Sequence, residues 1–169
     1  MDAKSSAGRI ACEASRIAMN AYQVERSKQV PTHISHTNTE DAATPDGILS
    51  TKMKGGDYQT TAIVEAKARY VTYDNILNNP FYERRLVMDL HKLTNCTALS
   101  KALYCEFWSI SVFESEGIYL VQRIADKWGQ HLADYYTKDT KARESINSSE
   151  KIVKPMVYIS IEGAKEYRL

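Results

Sequence analysis

The stretch Tyr58-Gln-Thr-Thr-Ala-Ile-Val-Glu-Ala-Lys-Ala-Arg-Tyr-Val-Thr-Tyr73 decides the fold class. Its even positions Tyr58, Ala62, Val64, Ala66, Ala68 and Tyr70 are mostly apolar. Its odd positions include Gln59, Glu65, Lys67 and Arg69. A period of two is the mark of a strand with one face on a core and the other toward water or a partner. The run is longer than an average strand, so a bend or bulge is expected within it.

Downstream, Asn79-Pro80 supplies a helix start, and Tyr82, Leu86, Leu90 and Leu93 follow on one face. Residues 102–114 are apolar on both faces, the pattern of a strand buried on two sides. After Gly117, residues Ile118, Val121, Ala125, Trp128, Leu132 and Tyr135 recur at three-four spacing and predict a long helix. Residues 137–151 are polar and predicted exposed. A last strand runs from Ile152 to Ile161, and Pro155 requires it to begin there or to lie on an edge. The expectation is an α+β fold, a single small mixed sheet with two packed helices in β-α-β-α-β order from Tyr58 to Ile161.

Upstream, residues 5–26 read as a helix whose apolar stripe is Ile10, Ala14, Ile17, Ala21 and Val24. The stripe is thin and Ala-rich, so it needs a surface to dock on. Residues 28–57 hold Pro31, Pro45, Gly47, Gly55 and Gly56 among many Ser, Thr, Asn and Asp, a linker composition. The predicted division is an N-terminal helical arm over 1–27, a flexible linker over 28–57 and a core domain over 58–169. On this reading the arm is a surface for a homo-oligomer.

Composition narrows the function classes. The 169 residues carry a net charge of +1 from 22 basic and 21 acidic side chains. Binding dominated by phosphate neutralisation usually brings a larger surplus, so any nucleic-acid role rests on local clusters. Those clusters are Arg84 and Arg85, and Lys138, Lys141, Arg143 and Lys151 around the polar segment. They are the candidate RNA or phosphate contacts. The cysteines Cys12, Cys96 and Cys105 are odd in number and widely spaced, which fits a reducing cytoplasm. Charges interrupt the first residues, so no secretory leader is read there, and no apolar run reaches the ~18 residues of a membrane span.

Catalytic signatures are missing from the linear sequence. His33-Ile-Ser-His36 offers two imidazoles without a third ligand nearby, so no metal is expected there. Cys105 alternates with Leu103 and Phe107 as a core residue does, and Cys96 has no histidine beside it in sequence. Lys52-Met-Lys-Gly-Gly-Asp57 lacks the spacing of a phosphate loop. No catalytic residue, cofactor or metal is assigned at this level.

The order of elements, a polar N-terminal arm, a long strand, a helix, apolar strands, a helix and late strands, resembles the layout of rhabdovirus matrix proteins of the plant cytorhabdovirus type. The resemblance spans roughly residues 28–165. The proline-rich late motif and the lysine cluster of the animal-virus members are absent. It implies a non-enzymatic virion protein of the host cytoplasm that self-associates, binds ribonucleoprotein and contacts a membrane surface peripherally. The residues leave two further readings open, a small RNA-binding module and an enzyme without a sequence signature.

Overall fold

The computed structural model describes residues 6–37, 44–143 and 150–169. Helix α1 (Ser6–Ser27) opens the chain. Strands β1 (Thr32–His36), β2 (Gly47–Lys52) and β3 (Tyr58–Ala68) follow as an antiparallel meander. Short α2 (Tyr73–Asn78), β4 (Arg85–Asp89) and α3 (Leu90–Ala102) then lead to β5 (Glu106–Phe113), which lies parallel to β3. The chain ends in β6 (Ile118–Ala125), β7 (Tyr135–Arg143), β8 (Lys151–Ser160) and β9 (Lys165–Arg168). Six strands form one sheet in the order β1-β2-β3-β5-β6-β9, and β4-β8-β7 form a second. The fold is mixed α/β, with two sheets rather than the single one expected.

The large sheet has helices or strands on both sides. On one side α1 buries Ala14, Ala18, Met19 and Tyr22 against Leu49, Ala62, Val64, Ala66, Ile110 and Val112. Alanine at two contact positions lets the helix axis approach the strands closely. Gly47 marks the tightest approach, since a Cβ there would lie 3.1 Å from both Met19 Sδ and Ile34 Cγ2. On the other side α3 and the small sheet bury Leu93, Cys96, Met88, Val157 and Ile159 against Ile63, Phe107 and Ile124. Fully burying each large apolar side chain contributes about 1.5–3 kcal/mol, so both layers are tied firmly to the sheet.

Four expectations need correction. The helix expected after Asn79-Pro80 lasts one 3-10 turn, Pro80–Tyr82; Asn79 caps it through Oδ1. Glu83 and Arg84 then take left-handed backbone angles, which stop a helix and turn the chain into β4. The helix expected after Gly117 is strand β6. Nearly every residue of β6 is buried, and a strand covered on both faces shows no period of two by which to recognise it. The linker of 28–57 contains β1 and β2, although residues 38–43 lie outside the described residues. The segment 137–143, read as polar and exposed, is exposed but forms β7.

The helix at the N-terminus is present, and its buried face differs from the predicted one. Ala14 is buried, yet Ile10, Ile17 and Val24 stand 57%, 47% and 63% exposed, and Ala21 is half-buried. Met19 and Tyr22 supply the contacts instead, and they lie on the side of the helix away from Ile10, Ile17 and Val24. Pro155 falls where the sequence allows it. It lies in β8 beyond Met156, the last residue that β4 pairs, so the ladder there has only β7 as neighbour.

Candidate active site

The pairing of β2 with β3 places Gly47 opposite Val64, which brings Asp46, the residue before β2, level with Glu65. Asp46 Oδ2 accepts a hydrogen bond of 2.8 Å from the Ala66 amide. The two carboxyls lie within hydrogen-bonding reach of each other. Glu65 points to the same side of β3 as Ile63, which is fully buried, so the strand turns a carboxylate toward a mostly enclosed space. Its side chain is 13% exposed. Burial, and then the charge of Asp46, push Glu65 up to about 8, against the pull of Lys92. Asp46 is raised as well, by burial, although the Ala66 amide and Lys92 oppose the shift. Both effects disfavour two negative charges at this spot unless a cation joins them.

Lys92, in the first turn of α3, supplies part of that charge. Its Nζ lies 3.0 Å from Glu65 Oε2 and donates 2.6 Å to the Thr44 carbonyl. Burial works against its ammonium, and Glu65 and Asp46 more than compensate, so its pKa rises. Cys96 lies one helical turn along α3, and burial followed by the Glu65 charge pushes its thiol up to about 12. A thiol so protonated is no nucleophile at neutral pH. Cys105 is buried and also raised, and it packs in the core as expected.

Two residues past Glu65 on the same side of β3 is Lys67, and two further is Arg69. Lys67 reaches solvent, yet the atoms packed around it and the charge of Arg69 lower its pKa, with Asp89 and Glu65 opposing. Arg69 is fixed in place. Its Nε and one terminal nitrogen donate to Ser111 Oγ at 3.2 and 2.9 Å, and the other donates 2.7 Å to the Val87 carbonyl. Asp89, at the start of α3, pairs with Lys154 of β8 at 2.5 Å. Asp46, Glu65 and Asp89 thus gather with Lys67, Arg69, Lys92 and Lys154 where the last residues of β3 face α3 and the small sheet.

Such a set suits a hard divalent cation bound beside a phosphate. Magnesium keeps several waters and binds through one or two carboxylates plus substrate oxygens, so two carboxylates are sufficient protein ligands. Among the described residues no group of three or more His, Cys, Asp or Glu side chains could hold a metal, which argues against a closed structural zinc site. His33 and His36 sit on β1, where His36 Nε2 meets Asn20 Oδ1 at 3.0 Å.

The basic residues singled out from sequence lie elsewhere. Arg85 pairs with Asp134 at 2.7 Å and stands over the Tyr136 ring. Arg84 is in the strained turn before β4. Lys138, Lys141 and Arg143 are on β7, with Lys151 opposite Arg143 on β8. The arm residues Ile10, Ile17 and Val24 line the outer side of α1. Sequence reasoning missed Asp46, Glu65, Lys67 and Lys92. One signal was present: Glu65 and Lys67 are ionisable groups two apart beside Ile63, on a strand whose two faces are both apolar at its centre.

No protein family, curated protein or solved structure matches this chain.

Proposed function

We propose that the chain is a divalent-cation-dependent hydrolase of phosphodiester bonds in nucleic acid. The observation that carries this reading is the facing pair Asp46 and Glu65, with Lys92 against Glu65 and the exposed Lys67 two residues further along β3. A bound cation lowers the pKa of its water and stabilises charge developing on phosphate oxygens. Asp46 and Glu65 would hold that cation, with Glu65 deprotonated and released from Lys92. Lys67, whose pKa burial and Arg69 lower, would orient the attacking water and, in its neutral form, take up its proton. The water oxygen bonds to phosphorus as the bond to the leaving oxygen breaks. Arg69, braced by Ser111 and the Val87 carbonyl, adds fixed positive charge behind Lys67. The cationic surroundings favour a phosphate substrate, and the exposed Lys67 favours one that stays at the surface, as a polymer does.

The test is cleavage of single- and double-stranded DNA and RNA with magnesium or manganese, beside a chelator control. Activity that needs the cation and disappears in Asp46→Asn and Glu65→Gln supports the reading. Equal cleavage by those variants, or no cleavage of any of the four substrates, overturns it. A cytoplasmic setting suits such an enzyme, whose three cysteines are free thiols.

One observation favours the reading as a self-associating, matrix-like protein instead. The exposed stripe Ile10, Ile17 and Val24 on α1 gives a second copy an apolar surface. No helix among the described residues is long and apolar enough to cross a membrane. Light scattering on Ile17→Glu tests the stripe: a fall in mass supports self-association, and a mass unchanged from wild type counts against it.

A further inference from the structure

The three-stranded sheet is incomplete at one end. Strand β4 pairs with β8 only from Met156 to Ser160, so Asp139–Arg143 and Lys151–Pro155 continue as a ribbon of two strands. Val153 of this ribbon is 70% exposed, and Tyr135 through Asp139 are exposed on both faces of β7. Over residues 137–143 and 150–155 the sequence supplies five cations, Lys138, Lys141, Arg143, Lys151 and Lys154, against Asp139 and Glu150.

Register decides where the cations lie. Residues paired across an antiparallel ladder share a face, and successive residues alternate. Lys138 is opposite Met156 and Thr140 is opposite Lys154, so Lys138 and Lys154 share one face. Lys141, opposite Val153, and Lys151, two residues before Val153 on β8, belong to the other. A ribbon with positive charge on both faces fits between two negative walls. The major groove of B-form DNA, about 12 Å wide between two phosphate backbones, admits a two-stranded ribbon. The deep, narrow major groove of A-form RNA does not.

We propose that the β7–β8 ribbon enters the major groove of duplex DNA and holds one backbone at the Asp46–Glu65 site. The link to that site is Lys154, which belongs to the ribbon and pairs with Asp89, the residue that begins the helix carrying Lys92. The inference rests on the reading of that site as a phosphodiester hydrolase, and it adds the form of nucleic acid engaged and the element that grips it.

The experiment is anisotropy of a labelled DNA duplex of about two helical turns, and of an RNA duplex of the same sequence, with the full chain in chelator. The triple variant Lys138→Ala, Lys141→Ala, Lys151→Ala is compared with its Lys→Arg counterpart. The expected result is DNA binding weakened roughly tenfold or more by the alanines, with a salt slope reduced by about three, and restored by the arginines. The RNA duplex should bind more weakly than DNA at each salt concentration. Alanine variants that bind DNA as wild type does, or equal affinity for the two duplexes, overturn the proposal. Because cleavage is blocked throughout, a ribbon that binds as expected in a chain with no cation-dependent cleavage upholds the ribbon and removes the hydrolase. Cation-dependent cleavage in a chain whose ribbon does not bind does the reverse.

Discussion

The two faces of β3 are built from alternate residues of one strand and do opposite work. Ala62, Val64 and Ala66 face α1, where they are buried among aliphatic side chains and Tyr22, with no carboxylate or amine in the cluster. Ile63 starts the other face in the same way, but Glu65, Lys67 and Arg69 follow it toward Asp46, Asp89 and Lys92. The first face is packed for stability, and the second holds charges that burial opposes. A carboxylate two residues after a fully buried isoleucine costs folding free energy that Lys92 only partly offsets. The contrast therefore separates what fixes the sheet from what the sheet presents.

The sharpest way to test that separation is to change each face and measure both activity and stability. Glu65→Gln keeps the shape and removes the charge, so cation-dependent cleavage should fall by roughly 100–1,000-fold or more, while the far-ultraviolet circular dichroism stays that of wild type. The same variant should be more stable than wild type in chelator at alkaline pH. The folded pKa of Glu65, about 8, lies above its ordinary 4.5, so the protonated form is the one the fold favours. That contribution is complete below 4.5 and is lost as pH rises through 8, at no more than about 1.4 kcal/mol per pH unit. Melting temperatures of wild type and Glu65→Gln should therefore diverge between pH 5 and pH 9. Parallel curves would place Glu65 in ordinary solvent.

On the dry face the order of effects reverses. Met19→Ala empties a buried position of α1 beside Gly47 and should cost about 2–5 kcal/mol, with denaturant midpoints as the measure. Activity per folded molecule should change far less than in Glu65→Gln. A loss of activity at full stability would show that α1 helps position Asp46 and would dissolve the distinction between the faces.

Much of the scaffold is legible in the sequence, because amphipathic periods survive wherever one face is wet. Helix α1 and strands β3 and β5 are read from their spacing, with errors in which stripe is buried. Strand β6 is not: it is covered on both sides like β5, but three-four spacing arises by chance among Ile118, Val121 and Ala125 and reads as a helix. The site is hidden for a different reason. Asp46 and Glu65 meet only through the antiparallel register of β2 and β3, and β2 lies in a stretch whose Ser, Thr and Gly content reads as a linker. Chemistry assembled across a ladder leaves no local spacing to find.

The pH dependence of cation binding sharpens the charged face further. A cation at the Asp46–Glu65 pair must displace the Glu65 proton below about 8, so its apparent affinity should rise by up to tenfold per pH unit from pH 6 to 8 and then level off. Titration calorimetry with manganese in two buffers of different ionisation enthalpy would count the proton released. Binding without proton release would mean that the cation sits elsewhere.

The smallest effect expected is at Lys154. Its ammonium lowers the Lys67 pKa directly, and by pairing with Asp89 it weakens the carboxylate that raises it. Lys154→Ala removes the first influence and frees the second, and both changes drive the Lys67 pKa upward. If neutral Lys67 accepts the proton of the attacking water, the rising limb of the pH–rate profile moves to higher pH, while the rate at its plateau is nearly kept. Stability should drop by no more than about 1 kcal/mol, since the pair is partly exposed. Lys154→Arg restores the charge and should return the limb to its wild-type position. A profile unmoved in Lys154→Ala would mean that Lys67 orients the water only through its positive charge, and that proton transfer goes to solvent.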